Sequence, residues 1–101
     1  MNIHSYRSIG RGSLLGFAEV ELDGGLVLHG VGIFEKDGRR WANPPGKPRL
    51  DRDQKPVRGA GGRIEYDPVV SFATKSQRDA FSETVVAGLV AAGHLPSGSS
   101  P

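Results

Sequence analysis

Apolar side chains are most concentrated between Leu26 and Phe34, a stretch without proline. Such a short aliphatic and aromatic run is typical of a β-strand buried on both faces. Because side chains alternate along a strand, the run divides into two sets. One set is Leu26, Leu28 and Phe34, and the other is Val27, Val31 and Ile33. We expect this strand to lie at the centre of the fold.

Turn sequences flank this central strand on both sides. Asp37-Gly38 readily adopts the positive φ angles of a two-residue hairpin loop, so residues 39–42 are predicted to return as the next strand. Before the central strand, residues 14–22 alternate between apolar and increasingly acidic positions, which is typical of a strand with one solvent-exposed face. The short connections favour an antiparallel meander, and residues 3–9 either form a short leading strand or are frayed.

The second half of the chain contains a long polar segment followed by a helix. Residues 46–62 have no hydrophobic period, which predicts a 17-residue loop of the kind that is usually functional or disordered. Residues 63–72 are predicted as a strand that Asp67-Pro68 interrupts, as expected at an edge or a bulge. The helix would begin with Ser76 as N-cap, in a capping box with Asp79, and end at Gly93. Its apolar stripe is Phe81, Val85, Leu89 and Ala92.

These elements predict an α+β fold, in which a twisted antiparallel sheet of four to five strands is covered by one C-terminal helix. The chain has 101 residues, which favours a single domain. We expect this domain to span residues 1–95, with a long basic loop at 47–62 and a flexible tail at 96–101. So small a domain would gain from further burial in a homodimer.

The absence of cysteine excludes a disulfide framework and thiolate metal sites, and it fits a reducing compartment. No apolar stretch is long enough for a signal peptide or a membrane span. We therefore expect a cytoplasmic protein without a membrane partner.

Catalytic and metal-binding patterns have little support. His4, His29 and His94 are scattered along the chain, and none has a partner at a ligand-like spacing. His29 lies within the central strand, where a packed or interfacial role is expected. Asp51 and Asp53 alternate with an arginine, which favours a solvated loop over a cation site. We predict no enzymatic activity, no catalytic residue, no metal and no cofactor.

Two glycine runs, at residues 10–12 and 59–62, invite comparison with phosphate-binding loops. Such loops usually follow a strand and open a helix, so that backbone donors converge on the anion. Both runs lead into predicted strands instead. Flexible turns explain them better, and a small phosphate-handling enzyme is the weakest of the functions we consider.

Charge is distributed unevenly. Between Lys36 and Arg63 there are nine basic residues against three acidic ones, a local charge of +6, whereas the rest of the chain has a charge of −4. Such asymmetry indicates either a phosphate-binding surface or a loop kept in water by arginines. The candidate nucleic-acid-binding residues are Arg39, Arg40, Lys47, Arg49, Arg52, Lys55, Arg58 and Arg63. Trp41 is either a core or interface anchor, or an exposed ring on which a base stacks.

Several of these residues together resemble the SpoVG family of small bacterial regulatory proteins. The central strand is followed by Gly38, Trp41, Pro44 and Lys47-Pro48, similar to the family's strand, glycine turn and aromatic strand. Asn43-Pro44-Pro45 would occupy the place of the family's "MPS" segment. Residues 66–70 resemble its proline-bearing "HPI" strand, and residues 78–89 resemble its closing helix. Two departures are that Gly30 replaces a frequently acidic residue and that residues 77–92 contain only one basic residue, Arg78.

The resemblance implies an antiparallel sheet with a C-terminal helix, a homodimer, and DNA or RNA binding in gene regulation. Our prediction is a non-enzymatic, SpoVG-like nucleic-acid-binding regulator that binds through its basic loop. The alternative is a protein-interaction module that uses an exposed sheet edge without nucleic acid. Salt-dependent affinity for DNA would separate the two, because phosphate contacts release counterions.

Overall fold

The computed structural model describes residues 1–62 and 64–96 and shows an α+β fold, which confirms the predicted class. Four strands form one antiparallel sheet in the order β1-β2-β3-β4, and two short strands form a second sheet. The strands are β1 (Asn2–Arg11), β2 (Leu14–Glu21), β3 (Val27–Lys36), β4 (Arg39–Asn43), β5 (Gly46–Pro48) and β6 (Tyr66–Pro68). A 3-10 turn (Ala60–Gly62) precedes β6, and the helix α1 (Lys75–Ala91) follows it. The predicted tail falls on residues 97–101, outside the described residues, apart from Pro96.

The predicted hairpin between β3 and β4 is confirmed. Asp37 and Gly38 have φ angles of 53° and 78°, so both occupy the left-handed region that a two-residue hairpin turn requires. This turn fixes the register, in which Lys36 lies opposite Arg39 and Phe34 lies opposite Trp41. The hairpin therefore places Phe34 and Trp41 on the same face of the sheet.

The prediction that the central strand is buried on both faces is wrong. Leu28, Val31 and Ile33 all lie on the inner face under α1, whereas Leu26 is exposed. A bulge explains the change, because three steps on β3 from Leu28 to Val31 match two steps on β2. Gly30, within this bulge, has a φ of 79°, a conformation that glycine adopts without strain. The bulge thus moves Leu28 to the face of Val31.

The segment predicted as a long basic loop at 47–62 contains short regular pairings. β5 pairs with β6, and Leu50↔Pro56 and Arg58↔Ile64 form isolated bridges. The predicted strand over residues 63–72 is reduced to β6, which pairs with β5 rather than joining the main sheet. Residues 46–62 and 64–68 therefore form a separate unit, called here the basic arm. Arg63 lies outside the described residues.

The helix is confirmed, but its predicted N-cap is wrong. Thr74, not Ser76, is the N-cap: its hydroxyl accepts a hydrogen bond from the Gln77 backbone N–H (3.2 Å), and the Gln77 side chain accepts one from the Thr74 backbone N–H (3.3 Å). A true capping box therefore begins two residues earlier than predicted. At the other end, Ala92 is the C-cap and lies outside the buried stripe.

One face of α1 completes the core. Phe81, Val85 and Leu89 are buried against the inner face of the sheet, as their spacing predicted. The backbone N–H of Ala42 in the edge strand β4 donates to the Ser82 hydroxyl at 2.8 Å, so the helix also covers part of that edge. Within residues 1–62 and 64–96, no helix has both the length and the apolar character needed to cross a membrane.

Candidate nucleic-acid interface

The structure separates the predicted cations into two groups. Arg40 lies on the inner face with only 10% of its side chain exposed, and its Nε is 3.5 Å from Glu35 Oε1. Its Nη1 also donates to the Pro96 carbonyl oxygen at 2.8 Å. Arg58 donates to the Gly62 carbonyl oxygen at 2.8 Å. These two guanidinium groups therefore join parts of the fold together.

Arg49 also belongs to the structural group. Its Nε donates to Asp67 Oδ1 at 2.9 Å, and its Nη1 donates to Glu65 Oε2 at 3.2 Å. The hydrogen bond to Asp67 is the main cause that raises the pKa of the Arg49 guanidinium above its usual value. These contacts are solvent-exposed, so their main consequence is to orient the segments they connect.

Four predicted cations remain available for a ligand. Arg39, Lys47, Arg52 and Lys55 are exposed, and none forms an ion pair within the described part of the chain. Lys47 lies in β5, and Arg52 and Lys55 lie at the turn of the arm. The structure therefore brings three of these cations onto one ordered unit and leaves Arg39 on the β3–β4 hairpin.

Backbone hydrogen bonds hold the basic arm in shape. Arg49 N–H donates to the Glu65 carbonyl oxygen at 2.8 Å, Val57 N–H to that of Arg49 at 2.8 Å, and Glu65 N–H to that of Val57 at 2.9 Å. At the turn, Asp51 Oδ1 accepts from the backbone N–H groups of Asp53 at 2.8 Å and Lys55 at 3.0 Å. The Asp51 carboxylate thus builds the turn that presents the cations.

The N-terminal half of α1 offers less to a phosphate. Lys75 Nζ lies 2.8 Å from Asp79 Oδ2, and Arg78 Nη2 lies 3.7 Å from Asp79 Oδ1. The hydrogen bond from Lys75 is the main cause that lowers the pKa of the Asp79 carboxyl. Both helix cations are therefore paired with a carboxylate that remains charged.

Sequence reasoning missed an aromatic group on the outer face of the sheet, the face away from α1. Phe34 and Trp41 stack with ring centroids 5.6 Å apart and an interplanar angle of 10°. Phe17 in β2 lies beside Phe34, with Gly32 between them in β3. Phe17, Phe34 and Trp41, called here the aromatic patch, are each half-buried. The two-residue turn alone would have revealed the Phe34–Trp41 pair, whereas Phe17 required the register of β2.

Cations border the aromatic patch. Arg7 lies opposite Phe17, and Arg11 lies opposite Leu14, which in turn lies opposite Phe34. Lys36 and Arg39 lie opposite each other at the hairpin end of the same face. These four residues, Arg7, Arg11, Lys36 and Arg39, are called here the border cations. All four are exposed, and none has an ion-pair partner among the described residues.

The other end of the outer face is acidic and hydrogen-bonded. Ser5 Oγ donates to Glu19 Oε1 at 2.7 Å, and the His29 ring hydrogen-bonds the same carboxylate. His4 Nε2 lies 2.7 Å from Glu21 Oε1. The hydrogen bonds from Ser5 and then His29 lower the pKa of the Glu19 carboxyl. His29 is therefore an exposed surface residue rather than a packed one.

Replacing Ser5 by alanine should raise the pKa of Glu19 toward its usual value, because the strongest cause of the lowering is removed. A lowered folded-state pKa stabilises the fold above the unfolded-state pKa, and this stabilisation disappears as the pH falls through the folded-state pKa. Ser5→Ala should therefore lower stability at neutral pH and have no effect once Glu19 is protonated. Carboxyl NMR titration would measure the pKa of Glu19. Urea unfolding at neutral pH, and again at a pH low enough to protonate Glu19, would measure the change in stability. Ser8→Ala, an exposed change in the same strand, is the control, and an unchanged Glu19 titration would contradict the assignment.

The fold and the distribution of side chains define a small α+β domain with a basic arm and an uncovered aromatic sheet face. Comparison with protein-family models, curated proteins and solved structures gave no match to this chain. The functional argument therefore depends on the site itself.

Proposed function

We propose that this protein is a non-enzymatic, SpoVG-like regulator that binds nucleic acid in the cytoplasm through its basic arm. The observation that carries the proposal is the group of exposed cations that form no ion pair among the described residues, Arg39, Lys47, Arg52 and Lys55. They lie in the segment with a charge of +6. Cations that are not neutralised by the protein release counterions from nucleic acid when they contact phosphates.

Order within the arm strengthens this proposal. A disordered segment would lose conformational entropy on binding, whereas the Arg49 contacts and the Asp51 turn hold the arm in one shape beforehand. Phosphate contacts position a protein without reading sequence, so we expect binding with little sequence preference at the arm itself. The arginines that bind the arm together, Arg49 and Arg58, support this surface indirectly.

Changing Lys47, Arg52 and Lys55 together to alanine should flatten the dependence of affinity on salt. Three lost phosphate contacts correspond to a change of about 2 to 3 in the slope of log affinity against log salt concentration. Fluorescence polarisation with labelled DNA at several salt concentrations would measure it. The matched control is Lys75→Ala with Arg78→Ala, because both helix cations contact Asp79.

The slope of this control should equal that of the unmodified protein. An unchanged slope in the arm variant, with measurable binding, would show that these cations only keep the arm in water. No salt-dependent binding by the unmodified protein would overturn the proposed function itself.

A second candidate, a protein-interaction module, is favoured by one observation. β1 is a ten-residue edge strand, and it is largely exposed along its length. An open edge can pair with a strand of another chain, including a second copy of this one, as the homodimer prediction requires. Light scattering would show the dimer, and binding of a protein partner without DNA affinity would favour this second function.

A further inference from the structure

The aromatic patch lies outside the arm and is not needed for phosphate contact. Its three rings come from three different strands, β2, β3 and β4, and lie at neighbouring positions of the outer face. The helix covers only the opposite face, where the buried core lies. The rings of such a surface can stack on flat ligands, and the cations around it can contact anionic groups.

We propose that the aromatic patch is a stacking platform for the bases of single-stranded nucleic acid. This inference rests on the proposed function and extends it from phosphates to bases. Aromatic side chains on an antiparallel sheet bind unpaired bases by stacking, since every base presents a flat π face. A duplex stacks its bases on one another, so only a single strand can offer those faces to the protein.

Gly32 leaves room for the Phe34 ring on the outer face of the sheet. A Cβ atom at this position would lie 2.9 Å from Cε2 of Phe34 and 3.9 Å from Cε1 of Phe17. The Phe34 ring therefore occupies the space into which any other residue would project its Cβ atom, whereas Phe17 lies at an ordinary van der Waals distance from that position. The absence of a side chain allows Phe34 to lie against β3 and stack on Trp41 with nearly parallel planes. A flat aromatic surface is what base stacking requires.

Charge complementarity identifies nucleic acid as the ligand. The border cations Arg7 and Arg11 lie on the β1 side of the patch, and Lys36 and Arg39 lie at its hairpin end. A strand whose bases contact the rings has its phosphates at the margins, within reach of long, exposed cationic side chains. An apolar protein partner would not need, around a patch of three rings, four cations that have no ion-pair partner in the described part of the chain.

The acidic end of the same face limits where the strand lies. Glu19 follows Phe17 by two residues on β2, so its carboxylate is on the same face and would repel phosphate. On β4, by contrast, Arg39 precedes Trp41 by two residues, and the chain continues beyond Asn43 into the basic arm. The bound strand would therefore follow β3 and β4. Arg39 lies at one end of that path, and the cations of the basic arm follow its other end.

Trp41 is the only tryptophan in the chain, so its fluorescence reports directly on the patch. The experiment is a titration of the full chain with oligo(dT), oligo(U) and a duplex DNA of equal length. Stacking of a base on Trp41 should quench the emission with either single strand and not with the duplex. Oligo(dU), which differs from oligo(U) in the 2′-hydroxyl alone, would show whether that hydroxyl is contacted.

Leucine substitutions at Phe34 and Trp41 test base stacking through the affinity for a single strand. Leucine keeps the position apolar but cannot stack on a base. Each change should weaken single-strand binding roughly 5- to 150-fold, the effect of losing one stacked base. The salt slope should stay unchanged because no phosphate contact is lost. Leu26→Ala, which removes exposed apolar surface outside the patch, should leave affinity unchanged.

The outcomes separate this inference from the proposed function. One outcome is that binding depends on salt and is weakened in the arm variant, while Trp41 fluorescence is not quenched and the leucine variants bind normally. This outcome would refute the stacking platform and would still support binding through the basic arm. Light scattering on the same samples gives a further outcome. If Trp41→Leu converts a dimer into a monomer while oligo(dT) affinity is unchanged, the patch contacts a second copy of the chain and the platform is refuted.

Discussion

Replacing Phe81 by alanine is expected to destabilise the protein by about 3–5 kcal/mol, the usual cost of removing a buried phenylalanine. Phe81 is only 6% exposed and belongs to the core between α1 and the sheet. Its ring also contacts Phe72, with centroids 5.1 Å apart. The loss of stability has two parts: the ring no longer contributes the free energy of its burial away from water, and a cavity remains where it was. Urea unfolding would measure it as a lower midpoint at constant m-value.

The control for this change is Glu83→Ala, two residues along the same helix. Glu83 is exposed and forms no ion pair among the described residues, so its removal should change stability by at most about 0.5 kcal/mol. A loss below about 1 kcal/mol for Phe81→Ala would contradict the packing of α1 described above. A small domain has so little stability that the expected loss would leave much of the protein unfolded.

Replacing Gly16 by alanine is the second change with a large expected effect. A Cβ atom at Gly16 would lie 2.3 Å from the Arg7 carbonyl oxygen and 2.8 Å from the Tyr6 hydroxyl oxygen. The first of these is a backbone atom that moves only with β1. We therefore expect a loss of about 1–3 kcal/mol or more, as in overpacked cores, and it should be concentrated at the β1–β2 pairing.

Hydrogen exchange would locate this effect. Amides of β1 should exchange faster in Gly16→Ala, whereas those of the β3–β4 hairpin should change little if the fold survives. Ser8→Ala is the matched control, because Ser8 lies directly opposite Gly16 and is exposed. Equal stability and unchanged β1 exchange in Gly16→Ala would show that β1 does not approach β2 as closely as described.

Each of the two candidate surfaces was only partly predictable from sequence. The charge asymmetry identified a segment, residues 36–63, that overlaps the basic arm, yet it could not distinguish Lys47 and Lys55 from Arg49. The distinction depends on Glu65 and Asp67, which lie 16 and 18 residues away from Arg49 and reach it only through the β5–β6 pairing. Arg40 is a similar case, since the Pro96 carbonyl oxygen to which it donates lies 56 residues away along the chain.

The aromatic patch depends partly on local sequence and partly on the pairing of distant strands. Phe34 and Trp41 are paired by a two-residue turn, which is a local property of Asp37-Gly38. Phe17 joins them only because β2 pairs with β3 in one register, with Phe17 opposite Gly32. A shift of one residue would turn Phe17 to the inner face.

Sequence by itself determined the elements whose causes are local. The glycine-containing turn, the helix with its stripe of Phe81, Val85 and Leu89, and its end at Gly93 all depend on residues within a few positions of one another. Helix periodicity and turn chemistry act over such distances, and these predictions were confirmed. The α+β class follows from the same local signals.

Tertiary structure alone decided the properties that depend on distant partners. The bulge at Gly30 set the face of Leu28, the β5–β6 pairing removed the expected fifth strand from the main sheet, and contacts with Glu65 and Asp67 occupied Arg49. The physical reason is common to all three. Strand register and ion-pair partners are chosen by the free energy of the whole packed sheet and arm, which no short window of sequence contains.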